Sequence, residues 1–171
     1  MYEKLEINPN TAFFHGTNAD FDRFDEQYKG SNSGWDNTVH GFFFADKKEN
    51  AKLFGKTIVE ARLTALNLID LRLPSIFNNV SQASVIWEIL SGQKLNDREA
   101  LSTLEREIDF GEIEEMYELL NSKKANGAFV KAGYDGILSS LGGNENEYAV
   151  FKASQIEILS IERPLSWKRS R

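Results

Sequence analysis

The chain has no cysteine, only two histidines and only three prolines among its 171 residues. Without cysteine there is no disulfide framework, no thiolate nucleophile and no cysteine-held zinc. This agrees with a cytoplasmic location, in its own cell or in a target cell. The histidines, His15 and His40, form no cluster with other ligand types, so no metal is expected. Pro9, Pro74 and Pro164 interrupt none of the elements proposed below. No apolar run is long enough to cross a bilayer. No basic start followed by an apolar stretch marks a leader. A membrane partner is therefore not expected.

What is present suits one folded domain. The hydrophobic fraction is 41%, enough at this length for a core without staples. Residues 1–165 are read as that domain and 166–171, basic and prone to fray, as a tail. The net charge is −6 and unevenly placed. Between Asp97 and Glu118 nine acidic residues face two arginines, a local net of −7 that leaves +1 elsewhere. The lack of a basic stripe argues against non-specific nucleic-acid binding. The acidic run over 97–118 reads as a solvated helix face, with a surface for a basic partner as the alternative.

The pattern predicts strands at both ends and helices between. Ala12 to His15 is an apolar run ending at Gly16, and Gly41 to Ala45 suits a strand buried on both faces. Asp46 with Glu49 reads as a capping box, opening a helix that Gly55 stops in left-handed conformation. Two more strands are expected at 56–63 and 67–71. Ser81 caps a helix with Val85, Ile86, Ile89 and Leu90, stopped by Gly92. Asn96 or Asp97 caps a second, and Ile113, Met116, Tyr117 and Leu120 belong to a third. Short strands return at 135–138, 147–151 and 156–161, where Leu159 and Ile161 alternate with polar neighbours. The class is α+β, with the chain ends pairing across a helical insert.

Three short segments carry candidate chemistry. His15 ends a strand before Gly16, where it can donate to a hydroxyl and a ligand can approach the backbone. Of Phe42, Phe43 and Phe44, the middle one faces opposite to its neighbours and is available to stack on a planar ring. Glu147 lies in an apolar strand; on its own segment an exposed position at the strand mouth is the simpler reading. The turn formers of 30–37 suit a loop.

In order, these segments resemble the His-Tyr-Glu class of ADP-ribosyltransferases, which contains poly(ADP-ribose) polymerases and diphtheria-like toxins. They are His15-Gly16-Thr17, then Gly41-Phe42-Phe43-Phe44-Ala45-Asp46 followed by Ala51 and Phe54, then Asn146-Glu147-Tyr148-Ala149-Val150-Phe151. Gly133 to Ile137 is similar to a strand of compact bacterial and phage members. The resemblance covers roughly residues 11–160 and implies split antiparallel sheets forming an NAD cleft. NAD would be the substrate. Glu147 would be the catalytic carboxylate, and His15 would hold an adenosine-side ribose hydroxyl. Gly16 and Thr17 would line the cleft, with the Gly16 backbone on the nicotinamide carboxamide. Phe43 and Phe54 would pack the nicotinamide ring. Phe43 departs from the class, which has tyrosine there. Glu145 resembles the acceptor-orienting residue of the arginine-modifying class, against a reading as a solvated loop residue. Ser33 and Trp35 fall where members keep a mobile segment over NAD.

The activity implied is mono-ADP-ribosylation of a protein or nucleic-acid acceptor by a bacterial or phage effector. Three alternatives stay open: a weak or inactive module that binds NAD or ADP-ribose, a structural or partner-binding domain with the acidic helices as its working surface, and an NAD glycohydrolase.

Overall fold

The computed structural model describes residues 4–19, 23–25 and 39–165. The loop over 30–37, with Ser33 and Trp35, and the tail 166–171 lie outside them. Among the described residues seven strands form one sheet. They are β1 (Ala12–Thr17), β2 (Phe42–Ala45), β3 (Thr57–Leu63), β4 (Leu68–Asp70), β5 (Gly136–Gly142), β6 (Glu145–Val150) and β7 (Ile156–Glu162). Their order is β4-β5-β6-β2-β1-β3-β7. The class is α+β, with one refinement. The two halves, β4-β5-β6-β2 and β1-β3-β7, are joined between β2 and β1 by one residue pair, Phe14 with Ala45. On its other side β1 pairs with β3 through six positions. Nor is every pair antiparallel: β4 runs parallel to β5, because the whole helical insert separates them and brings the chain back from the far end.

Alternation along the strands builds two cores. Phe13, Phe42, Phe44, Ala61, Leu63, Leu68, Leu138 and Val150 fill one side of the sheet. Ile69, Ile137, Ala149 and Phe151 face the other side, where the insert covers them with Ile86, Leu104, Met116, Leu120 and Phe129. Each such aliphatic or aromatic side chain contributes about 1.5–3 kcal/mol on burial.

The insert contains α2 (Leu73–Ile76), α3 (Ala83–Ser91), α4 (Asp97–Glu107), α5 (Ile113–Leu120) and α6 (Lys123–Lys131). Gly92 ends α3 at φ 77° as expected, and the Asn96 side chain caps α4 by accepting from the Glu99 N–H. Ser81 is not a cap; Asn79 accepts from its N–H and starts the turn before α3. The helix α6 is not visible in the local pattern, since Asn126-Gly127 lowers helix propensity at its middle. Burial of Ala125 and Phe129 one turn apart, with Ser122 as cap, holds it. His40 pins the insert to the sheet. Its Nε2 donates to the Leu120 carbonyl at 2.9 Å, and its Nδ1 accepts from the Asn126 amide at 3.1 Å.

Between β2 and β3 lies a one-turn helix, α1 (Lys48–Ala51). The capping box expected at Asp46 and Glu49 does not form: Lys47 holds the cap position, with no side-chain cap bond. Nor is Gly55 left-handed. It is required by close packing, because a Cβ there would run into the backbone of Thr17. A Cβ on Gly16 would likewise strike the Ala51 carbonyl. These two glycines let α1 and its following turn lie directly on β1. At the far edge a bulge between Glu60 and Ala61 shifts β7, so that Ala61 pairs with Ile158. Leu159 is left over and exposed rather than alternating inward. Nearly all of the acidic residues from 97 to 118 are exposed.

Candidate active site

Ala45 sits at the joint of the two half-sheets, paired with Phe14 on β1 and with Glu147 on β6. Cross-strand partners share a face, so Phe43, Ala45, Glu147 and Ala149 project together. Ser139 of β5 flanks Glu147 on its other side. Two interstrand steps of about 4.8 Å place the Glu147 backbone roughly 10 Å from that of Phe14, the neighbour of His15.

Glu147 is not exposed at a strand mouth. It is 7% exposed, because β5 and β2 enclose it on both sides. Burial pushes its carboxyl up to about 7. Such a group is only partly ionised at neutral pH and gains from any cation or hydroxyl brought beside it.

His15 belongs to the other half-sheet and reaches across the joint. Its Nδ1 lies 2.7 Å from the Phe43 carbonyl oxygen. A carbonyl only accepts, so Nδ1 carries the proton. Burial lowers the imidazole pKa, the bond to Phe43 opposing it. Burial thus favours the neutral ring, in which Nε2 is an acceptor atom. Phe24 and Phe44 pack on the ring, with centroids 5.1 and 5.5 Å away.

The three phenylalanines divide as alternation requires. Phe42 and Phe44 belong to one core, and Phe43 is half-buried at the rim of the other. Phe54 is half-buried in the turn after α1, its N–H donating to the Ala51 carbonyl at 3.0 Å. Thr17 is buried, and its hydroxyl accepts from the Ala19 N–H at 3.1 Å.

Glu145 is a strand residue rather than a loop residue, with its side chain partly exposed. It opens β6, where Lys47 Nζ donates to its Oε1 at 2.9 Å and the Asn50 amide to its Oε2 at 3.0 Å. The Lys47 bond holds its carboxyl below the usual range. Sequence reading missed Lys47 and Asn50, and no local signal exposes a partner 98 residues away. Asp46 follows the joint with a buried Oδ1 that has no hydrogen-bond partner. Burial first, and then Asp46, raise the Tyr148 phenol.

Two half-sheets joined at one pair, with His15 on one and a buried glutamate on the other, define an ADP-ribosyltransferase-like protein. Residues 9–164 match the family of ADP-ribosyltransferases in polyvalent proteins, and the chain belongs to that family. The family uses NAD as its substrate. Two solved structures are similar. An anti-CRISPR protein is 16% identical, with 86% of this chain and 94% of that chain covered and a TM-score of 0.47. The M. tuberculosis MbcT–MbcA toxin–antitoxin complex is 11% identical, with 98% and 90% covered and a TM-score of 0.47. No curated protein matches. Among the described residues no helix is long and apolar enough to cross a membrane, and no group of three or more His, Asp or Glu side chains is placed to hold a metal.

Proposed function

We propose that the chain is a mono-ADP-ribosyltransferase that moves ADP-ribose from NAD to a protein or nucleic-acid acceptor, acting in the cytoplasm of its own or a target cell. The observation that carries this reading is Glu147, a buried carboxyl one strand from the joint, on the face shared with Phe43 and two strands from His15.

Cleavage of the nicotinamide–ribose bond sends the bonding electrons out with neutral nicotinamide and leaves an oxocarbenium-like ribose. The Glu147 carboxylate stabilises that cation and holds the 2′-hydroxyl. The acceptor nucleophile then bonds to C1′ from the open face and loses its proton. Neutral His15 accepts from an adenosine-side ribose hydroxyl at Nε2. The Gly16 backbone takes the carboxamide, with Thr17 beside it, and Phe43 and Phe54 pack the nicotinamide ring. Glu145, on the same face of β6 as Glu147, orients the acceptor.

The test is nicotinamide release and transfer from labelled NAD to lysate, wild type against Glu147→Ala. Release with labelled macromolecules supports transfer. Free ADP-ribose alone points to hydrolysis. NAD binding without release would make the chain a binding module, a reading that Phe43 favours because it lacks the phenol of its class.

A further inference from the structure

The groups assigned to NAD stand on two bodies. His15 and Gly16 are on β1; Phe43 and Glu147 are on β2 and β6. One residue pair joins those bodies in the sheet. The His15 bond to Phe43 and the core shared by Phe13, Phe42 and Phe44 cross the joint as well, and the segment from Lys47 to Ala51 is placed to add a further tie. At one end Lys47 and Asn50 grip Glu145, two residues from Glu147, at 2.9 and 3.0 Å. At the other end Lys48 pairs with Glu162 on β7, the outer strand of the opposite half-sheet. Between them the Ala51 carbonyl rests against Gly16, in a gap that a Cβ would fill.

We infer that the Lys47–Ala51 segment is a strap across the joint, anchored by one ion pair to each half-sheet, which positions Glu147 relative to His15 and Gly16. Lys47, Lys48 and Glu162 are positioning residues. Their side chains are partly exposed, so the strap yields to salt while the cores do not. The catalytic consequence rests on the Glu147 reading; the mechanical one does not.

The test is amide hydrogen exchange of the full chain, read beside nicotinamide release. Lys47→Gln with Lys48→Gln should speed exchange over 48–54 and 145–147 about tenfold. Exchange in α3 to α6 should stay unchanged, and Tm should move by no more than ~2 °C. Sodium chloride at ~1 M should have the same effect on wild type and none on the double variant. If wild type releases nicotinamide, the double variant should release it several-fold more slowly. Exchanging the charges of the other anchor, Lys48→Glu with Glu162→Lys, should keep slow exchange and most of the rate. Unchanged exchange in the double variant overturns the strap. So does a charge exchange at 48 and 162 that leaves exchange as fast as in the double variant. Faster exchange without any release by wild type supports the strap and counts against the Glu147 reading.

Discussion

Glu147 carries two opposed demands. The proposed chemistry needs its ionised form, and its surroundings favour the neutral one. Its carboxyl is raised from 4.5 to about 7, so between those values the folded state binds protons that the unfolded state has released. Stability therefore falls as pH rises through this window, by roughly 3 kcal/mol in all, and levels off above 7. Glu147→Gln should abolish nicotinamide release and raise Tm by several degrees at pH 8. At pH 5 the gain should shrink to under ~1 kcal/mol, which thermal melts at the two pH values would show. In wild type kcat/KM should climb with pH to a plateau, with an apparent pKa near 7. Phe43→Tyr should tighten NAD binding about fivefold, the worth of one hydrogen bond of ~1 kcal/mol, measured by calorimetry. The His, Phe and Glu positions are legible in the sequence because each sits in a short local motif. Their environments are not. The burial of Glu147 comes from β5 and β2, and the tautomer of His15 from a carbonyl 28 residues away.

At the level of elements, reading by periodicity succeeds where one face is plainly apolar, as in α3 to α5 and β1 to β3. It fails where tertiary contacts decide. The helix α6 forms despite Asn126-Gly127, because Phe129 is buried and Asn126 donates to His40. The short α1 forgoes its expected cap and is held by glycine packing instead. His40 gives no sequence signal, yet it bonds two helices to the sheet. His40→Leu should leave the Leu120 carbonyl and the Asn126 amide without their partner, costing about 2–4 kcal/mol in chemical denaturation. Gly55→Ala should cost about 2 kcal/mol or more, since its Cβ meets backbone rather than a movable side chain.

Over the whole molecule the sheet is stitched from distant parts of the chain. The strand β6 lies between β5 and β2 and carries Glu147, Ala149 and Val150 into the sheet and its cores. A chain cut at Gly143 therefore lacks a central strand. It should show no cooperative thermal transition, although most of its helices remain encoded. Non-local pairing of this kind should also make folding slow, in milliseconds to seconds by stopped-flow. The α+β class is legible from the order of elements, but the joint at Phe14 and Ala45 is not, since neither residue marks where two strands part. The exposed acidic face of α4 and α5, with Phe110 91% exposed at its tip, lies on the insert, apart from that joint.

The late position of β6 has a consequence for synthesis. A ribosome emits Glu147 104 residues after Phe43. Until β6 clears the exit tunnel, His15 and Phe43 have no such carboxylate across from them. On the proposed mechanism, NAD cleavage waits for that strand.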